Sequence, residues 1–181
     1  MLRAILTSAI LALAAVPGLA QTATSVGQSA PTPQLTCVFS VRADIAAPIE
    51  QGPIDGGRRR FIAITGGSVD GPKLKGAVLP GGGDWQVIKD GGVTSIFARY
   101  FLKTDDGAVI EVTNPGVRIA SPEVIERLAR GEDVDPALYY FRTTPQFATS
   151  AKHYDWLHRA VFVARGIRKP GYVVIDYFIV S

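Results

Sequence analysis

Arginine, aspartate and histidine supply most of the side chains here that could do chemistry, and their spacing limits which chemistry that is. His153 and His158 are the only histidines. Five residues apart, they do not share a helical face, and no cysteine or paired carboxylate completes a ligand set, so no metal site is expected. His158 lies two residues from Trp156. An imidazole titrates near neutral pH, which makes His158 a candidate general base, the alternative being a capping or surface residue. No Gly-x-Ser-x-Gly elbow is present to build a serine nucleophile.

The stretch "LPGGGDWQ" places Asp84 and Gln86 directly after three glycines. Either the glycines bend the chain so that both side chains point inward at a ligand, or they turn a corner and Asp84 caps amides or pairs with an arginine. They do not make a phosphate loop, since no Lys-Ser/Thr follows and no strand–glycine–helix order surrounds them. Arg99 stands in "VTSIFARYFLKT", an otherwise largely apolar strand pattern. An arginine on an apolar interior face must find an acid, carbonyl groups or a ligand anion. Its planar fork suits a carboxylate or enolate.

The elements that would position these groups are mostly strands. Period-two patterns run through "LTCVFSVRADI", "RRRFIAITGG", "VTSIFARYFLKT", "AVIEVTN", "YYFRTTPQFAT", "AVFVARGI" and "YVVIDYFIV". "KLKGAVL" and "DWQVI" read as two short strands, or as one strand bent at Pro80 and the glycines. "DDG" and "RKPG" mark hairpin turns. With Asp106 and Gly107 at the turn centre, Arg99 lies opposite Asn114 and Phe101 opposite Val112, which puts Phe97, Arg99, Phe101, Val112 and Asn114 on one face. A one-residue slip would undo that assignment. Residues 121–131 read as one helix, with Ser121 as cap, Pro122 at the first position and Gly131 at the end. A further helical turn is expected near 153–158. Many strands with little helix predict an all-β, mainly antiparallel protein, and glycine and proline breaks inside strand patterns favour a small closed barrel.

Arg3, an apolar run over residues 4–16 and small residues at Gly18 and Ala20 form the pattern of a cleaved secretory signal over residues 1–20. Residues 21–34 then read as a polar leader and 35–181 as one domain. The run is too short to span a bilayer and no second one follows, so no membrane span is expected, and the periplasm or the exterior is the expected compartment. Cys37, the only cysteine, cannot form an internal disulfide and reads as a buried strand residue. The formal charge of +3 is small and scattered apart from Arg58, Arg59 and Arg60, which argues against nucleic acid as a partner. Those three read as a solvated strand end from which one arginine alternates inward.

Five segments in order, "GRRRFIAITGG", "LPGGGDWQ", "ARYFLKTDDGAVI", "YYFRTTPQF" and "YDWLHRAVFV", resemble the family catalogued as domain of unknown function 3237 (DUF3237), also called UPF0311. The resemblance implies a small antiparallel barrel similar to lipocalins and allene oxide cyclase. Its matching polar positions are Asp84, Gln86, Arg99, Asn114, Tyr140 and Arg142. The chain departs from the family pattern at Phe97 and Ala148, where acids are usual, and at His158, where asparagine is usual. Losing two acids would leave neighbouring arginines freer to hold an anion.

On this reading Asp84, Gln86, Arg99, Tyr100, Asn114, Arg142 and Trp156 are ligand-binding candidates, and Tyr140 and His158 are catalytic ones. No cofactor is expected. The barrel is expected to bind a small apolar or aromatic, anionic molecule. One alternative is a cofactor-free isomerase, cyclase or lyase that stabilises an enolate. Another is an envelope protein with a filled barrel. A homo-oligomer is compatible with any of these.

Overall fold

The computed structural model describes residues 31–181. The expected signal segment, 1–20, and most of the expected leader lie outside the described residues. The strands are β1 (Leu35–Ile45), β2 (Ile49–Ile54), β3 (Gly57–Asp70), β4 (Gly76–Val78), β5 (Gly82–Lys89), β6 (Val93–Thr104), β7 (Val109–Ile119), β8 (Tyr140–Thr143), β9 (Gln146–Ala148), β10 (Val161–Lys169) and β11 (Tyr172–Val180). Every pairing is antiparallel. β1 pairs β3, β3 pairs β5, and the ladder continues through β6, β7, β8, β10 and β11 back to β1. Eight strands therefore close a barrel, which leaves its ring without a free edge. β2 flanks β3, β4 bridges β3 and β6, and β9 extends β7.

Alternation builds the interior. Val41, Ala43, Ile62, Ile64, Ile96, Ala98, Tyr100, Leu102, Ile110, Val112, Phe162, Ala164, Ile175 and Tyr177 are buried at strand spacing two. Each large side chain so buried contributes about 1.5–3 kcal/mol. The glycine run serves two purposes here. Gly81, at φ +107°, makes the bend before β5. A methyl on Gly82 would stand 2.5 Å from Tyr100 Cβ and 2.6 Å from the Arg99 carbonyl oxygen, so the strand passes close to β6 only because that side chain is missing.

Helix α1 (Pro122–Ala129) is capped by Ser121, whose Oγ accepts from Val124 N–H. It ends where Gly131 N–H bonds the Leu128 carbonyl and Glu132 N–H bonds that of Arg127. Leu128 packs with Ile96, Tyr139 and Phe141 and stops one end of the barrel. At the other end a 3-10 segment (Lys152–His158) buries Leu157 and lays Tyr154 and Trp156 on the core. No helix among the described residues is long and apolar enough to cross a membrane. Two local expectations are corrected. The stretch 139–149 is two strands separated by Thr144 and Pro145 rather than one. Cys37 is exposed, because the ladder of β1 shifts between Cys37 and Phe39 and turns its side chain outward.

Candidate functional site

The β6–β7 hairpin decides which groups reach the lumen. Thr104 N–H bonds the Ala108 carbonyl across a three-residue loop, Asp105–Asp106–Gly107, with Gly107 at φ +90°. Arg99 therefore pairs with Thr113 and Tyr100 with Val112. This is one residue away from the register that a two-residue turn would give. The slip sends Ala98, Tyr100 and Leu102 inward, and Phe97, Arg99 and Phe101 outward. Arg99 is consequently an outer-wall residue, paired with Glu111 in an exposed ion pair.

Arg142 is corrected in the same way. On β8 Phe141 and Thr143 face inward, while Arg142 and Tyr140 face solvent, with the guanidinium 5.0 Å over the tyrosine ring. The segment carries aromatic residues at both parities, so its phase was open in the sequence. Phe97 and Ala148 also stand on the outer wall, so their departures from the family pattern free no lumen arginine. His158 sits on the 3-10 segment, where its Nε2 accepts from Thr149 N–H at 3.3 Å and its Nδ1 lies 3.7 Å from Asp155. Trp156 packs against Phe162 at that same end. Neither lines the lumen cavity.

Asp84, Gln86, Tyr100 and Asn114 line it. They are joined there by Arg118, Thr143 and Arg168 among walls of isoleucine and Phe141. The cavity measures about 40 Å³. At roughly 10–15 Å³ for each water-sized occupant, that suits the head of a molecule rather than a large one. Behind Gln86 lies Arg60, 3% exposed, which donates from Nε to Gln86 Oε1 at 2.9 Å. Gln86 in turn donates to Asp84 Oδ2, and Phe97 N–H donates to Asp84 Oδ1 at 3.2 Å.

Arg118 is the residue that sequence reasoning missed. It is 1% exposed and lies over the Phe141 ring, its guanidinium carbon 5.9 Å from the centroid. Its Nε and Nη2 have no hydrogen-bond partner, nor have Asn114 Oδ1 and Thr143 Oγ1 on the same cavity wall. A signal for it existed. Arg118 follows Asn114 by four residues and so shares its face, but it lies beyond Pro115 and Gly116, outside the strand pattern "AVIEVTN". Proline is tolerated at this point, where its side chain lies on the outer wall and β7 runs on to Ile119.

Burial sets the electrostatics. Desolvation first, then the Arg60 charge, and against the opposing pull of Asp84, bring Arg118 down to about 10. Arg60 and Arg168 are also lowered, chiefly by burial. Burial raises the Asp84 carboxyl, against the hydrogen bonds from Gln86 and Phe97 and the charges of Arg118 and Arg60. The cavity thus meets two guanidinium groups, with a third behind them, and one carboxylate.

These features define a closed eight-stranded barrel with a small, positively biased lumen. The chain belongs to the DUF3237 family, described as a protein of unknown function, whose model matches residues 33–180. It is 42% identical over 146 residues to the UPF0311 protein RPA1785 of Rhodopseudomonas palustris, covering 81% of this chain and 95% of that one. A UPF0311 protein of Clostridium acetobutylicum is 41% identical over 145 residues, 80% of this chain and 92% of the relative. The crystal structure of the Rhodopseudomonas protein matches at a TM-score of 0.81, over 84% of this chain and all of the other. A β-barrel-like protein of Acinetobacter baumannii matches at 0.74 with 40% identity, over 85% and 99%. A protein described as an enzyme from Penicillium herquei matches at 0.62 with 23% identity, over 84% and 98%, a likeness of fold alone.

Proposed function

We propose that this chain is an exported binding barrel whose lumen takes the anionic head, a carboxylate or enolate, of a small apolar or aromatic molecule. The observation that carries this reading is Arg118: a buried guanidinium that lines the cavity and whose Nε and Nη2 have no hydrogen-bond partner. Uncompensated burial of a charge costs several kcal/mol. A bound anion would offset that cost and satisfy both donors. Thr143 Oγ1 can donate a further hydrogen bond to the anion, and the isoleucine walls keep its surroundings apolar.

A second reading is supported by Asp84. A carboxyl held above its usual range beside guanidinium groups can pass a proton while the arginines stabilise developing negative charge, the requirement of a cofactor-free isomerase, cyclase or lyase. In that reading Asp84 and Arg118 take the roles first assigned to Tyr140 and His158, whose side chains face away from the lumen.

Native mass spectrometry of protein purified from its own host tests the binding reading. A retained small acid, absent from Arg118→Met but kept in Arg142→Ala, is expected. Protein that carries no such molecule in any preparation would count against it. Export is tested by the N-terminus of the mature protein, expected at Gln21 in the extracytoplasmic fraction; an intact Met1 terminus in the cytoplasm would refute it.

A further inference from the structure

A transverse row of apolar side chains crosses the outside of the barrel. Ile49 of β2 is registered opposite Phe61 of β3, Phe61 opposite Trp85 of β5, Trp85 opposite Phe97 of β6, and Phe97 opposite Pro115 of β7. The Phe61 and Trp85 rings touch, their centroids 4.9 Å apart. Ile49 is 63% exposed, Trp85 48% and Phe97 47%. A barrel interior has no use for these residues, and a contiguous exposed apolar patch on a single chain marks an interaction surface.

We infer that this row is the centre of a two-fold interface between two copies of the chain. The order of the row is the first reason: Ile, Phe, Trp, Phe, Pro reads nearly the same from either end. A two-fold axis parallel to the strands and passing between the two Trp85 side chains lays Trp85 on Trp85, Phe61 on Phe97 and Ile49 on Pro115. Apolar groups then meet apolar groups along the whole row, the self-complementarity an isologous contact needs.

Charge gives the second reason. The row on one side runs Arg59, Val87, Ser95, and the row on the other runs Ala63, Gly83, Arg99. The same axis sets Arg59 of one copy against Ser95 of the other, and Arg99 against Ala63. Within these two flanking rows no like charges meet, and Arg99 is already paired with Glu111; Lys89, two outward positions beyond Trp85 on β5, is the cation that faces its own copy, at the rim. Area gives the third. The exposures of Ile49, Trp85 and Phe97, applied to side chains of about 150–250 Å², amount to about 300 Å² per copy. That is over a third of the roughly 800 Å² each partner contributes to a standard interface, in proportion for an apolar centre with a polar rim.

Sedimentation of the purified chain tests this. At about 10 µM a dimer is expected. Trp85→Lys, which sets like charges on the axis, and Phe97→Lys, which buries a lone charge against Phe61 of the other copy, should each weaken dimerisation about thirtyfold or more. Circular dichroism and a cooperative melt show that the variants remain folded. Val161→Lys changes a residue on the opposite wall that is 68% exposed and should leave the dimer intact. A wild-type monomer would overturn the inference, even if Trp85 then binds phosphatidylglycerol vesicles. A dimer that survives both lysine variants, or that Val161→Lys dissociates equally, would overturn it too.

Discussion

Arg118 spends free energy on folding that no protein group returns in full. Its contact with the Phe141 ring is worth about 1–2 kcal/mol when desolvated, against a burial penalty of several. Replacing it with methionine keeps the length and removes the charge. Arg118→Met is therefore expected to raise stability by about 1–4 kcal/mol in denaturant unfolding, while abolishing anion binding. A large loss of stability instead would make Arg118 a structural residue and remove the basis of the binding proposal. Gly82 carries the opposite expectation. Gly82→Ala forces a methyl against Tyr100 and the β6 backbone and should cost about 1–3 kcal/mol, seen as a lower melting temperature.

At the scale of elements, the 3-10 segment that stops one end of the barrel is tied to the β6–β7 loop through Asp106. That carboxylate accepts from Thr104 Oγ1, from Tyr154 OH at 3.3 Å and, at 2.7 Å, faces His153 Nε2. Its pKa is lowered to about 2, first by the Thr104 hydrogen bond and then by the Ala108 amide and His153. A depressed carboxyl stabilises the fold above its unfolded pKa near 4, and the contribution is lost as pH falls toward 2. Acidification across that window should loosen the 3-10 segment and change Trp156 fluorescence. In Asp106→Asn the change should already be present at neutral pH; an unaltered acid transition in the variant would refute the clamp.

The same hairpin shows what the sequence could and could not disclose. The spans of β1, β6, β11 and the helix stand out because period two and the caps are strong signals. Whether a strand shows one parity or the other to the lumen depends on turn length, and "DDG" supports two loops that differ by one residue. That single residue separates Arg99 inside from Arg99 outside. Asn114 points inward because Ile110, Val112 and Asn114 alternate on one face of β7, and Arg118 shares that parity beyond Pro115. β2 has no apolar alternation of its own and takes its place only through pairing with β3.

Taken as a whole molecule, the barrel is a rigid wall around a small positive void, closed at one end by α1 and at the other by the 3-10 segment. A ligand held by the folded chain and not by the unfolded one adds its affinity to the stability. The measurement that tests the central claim is the thermal melt of wild type and Arg118→Met in increasing formate or acetate, with ionic strength held constant by chloride. For wild type, about 0.1 M carboxylate acting on a site with Kd near 10 mM adds about 1.4 kcal/mol and raises the melting temperature by several degrees, while Arg118→Met stays flat. A wild-type curve as flat as the variant's, or a variant that gains as much as wild type, would contradict the account.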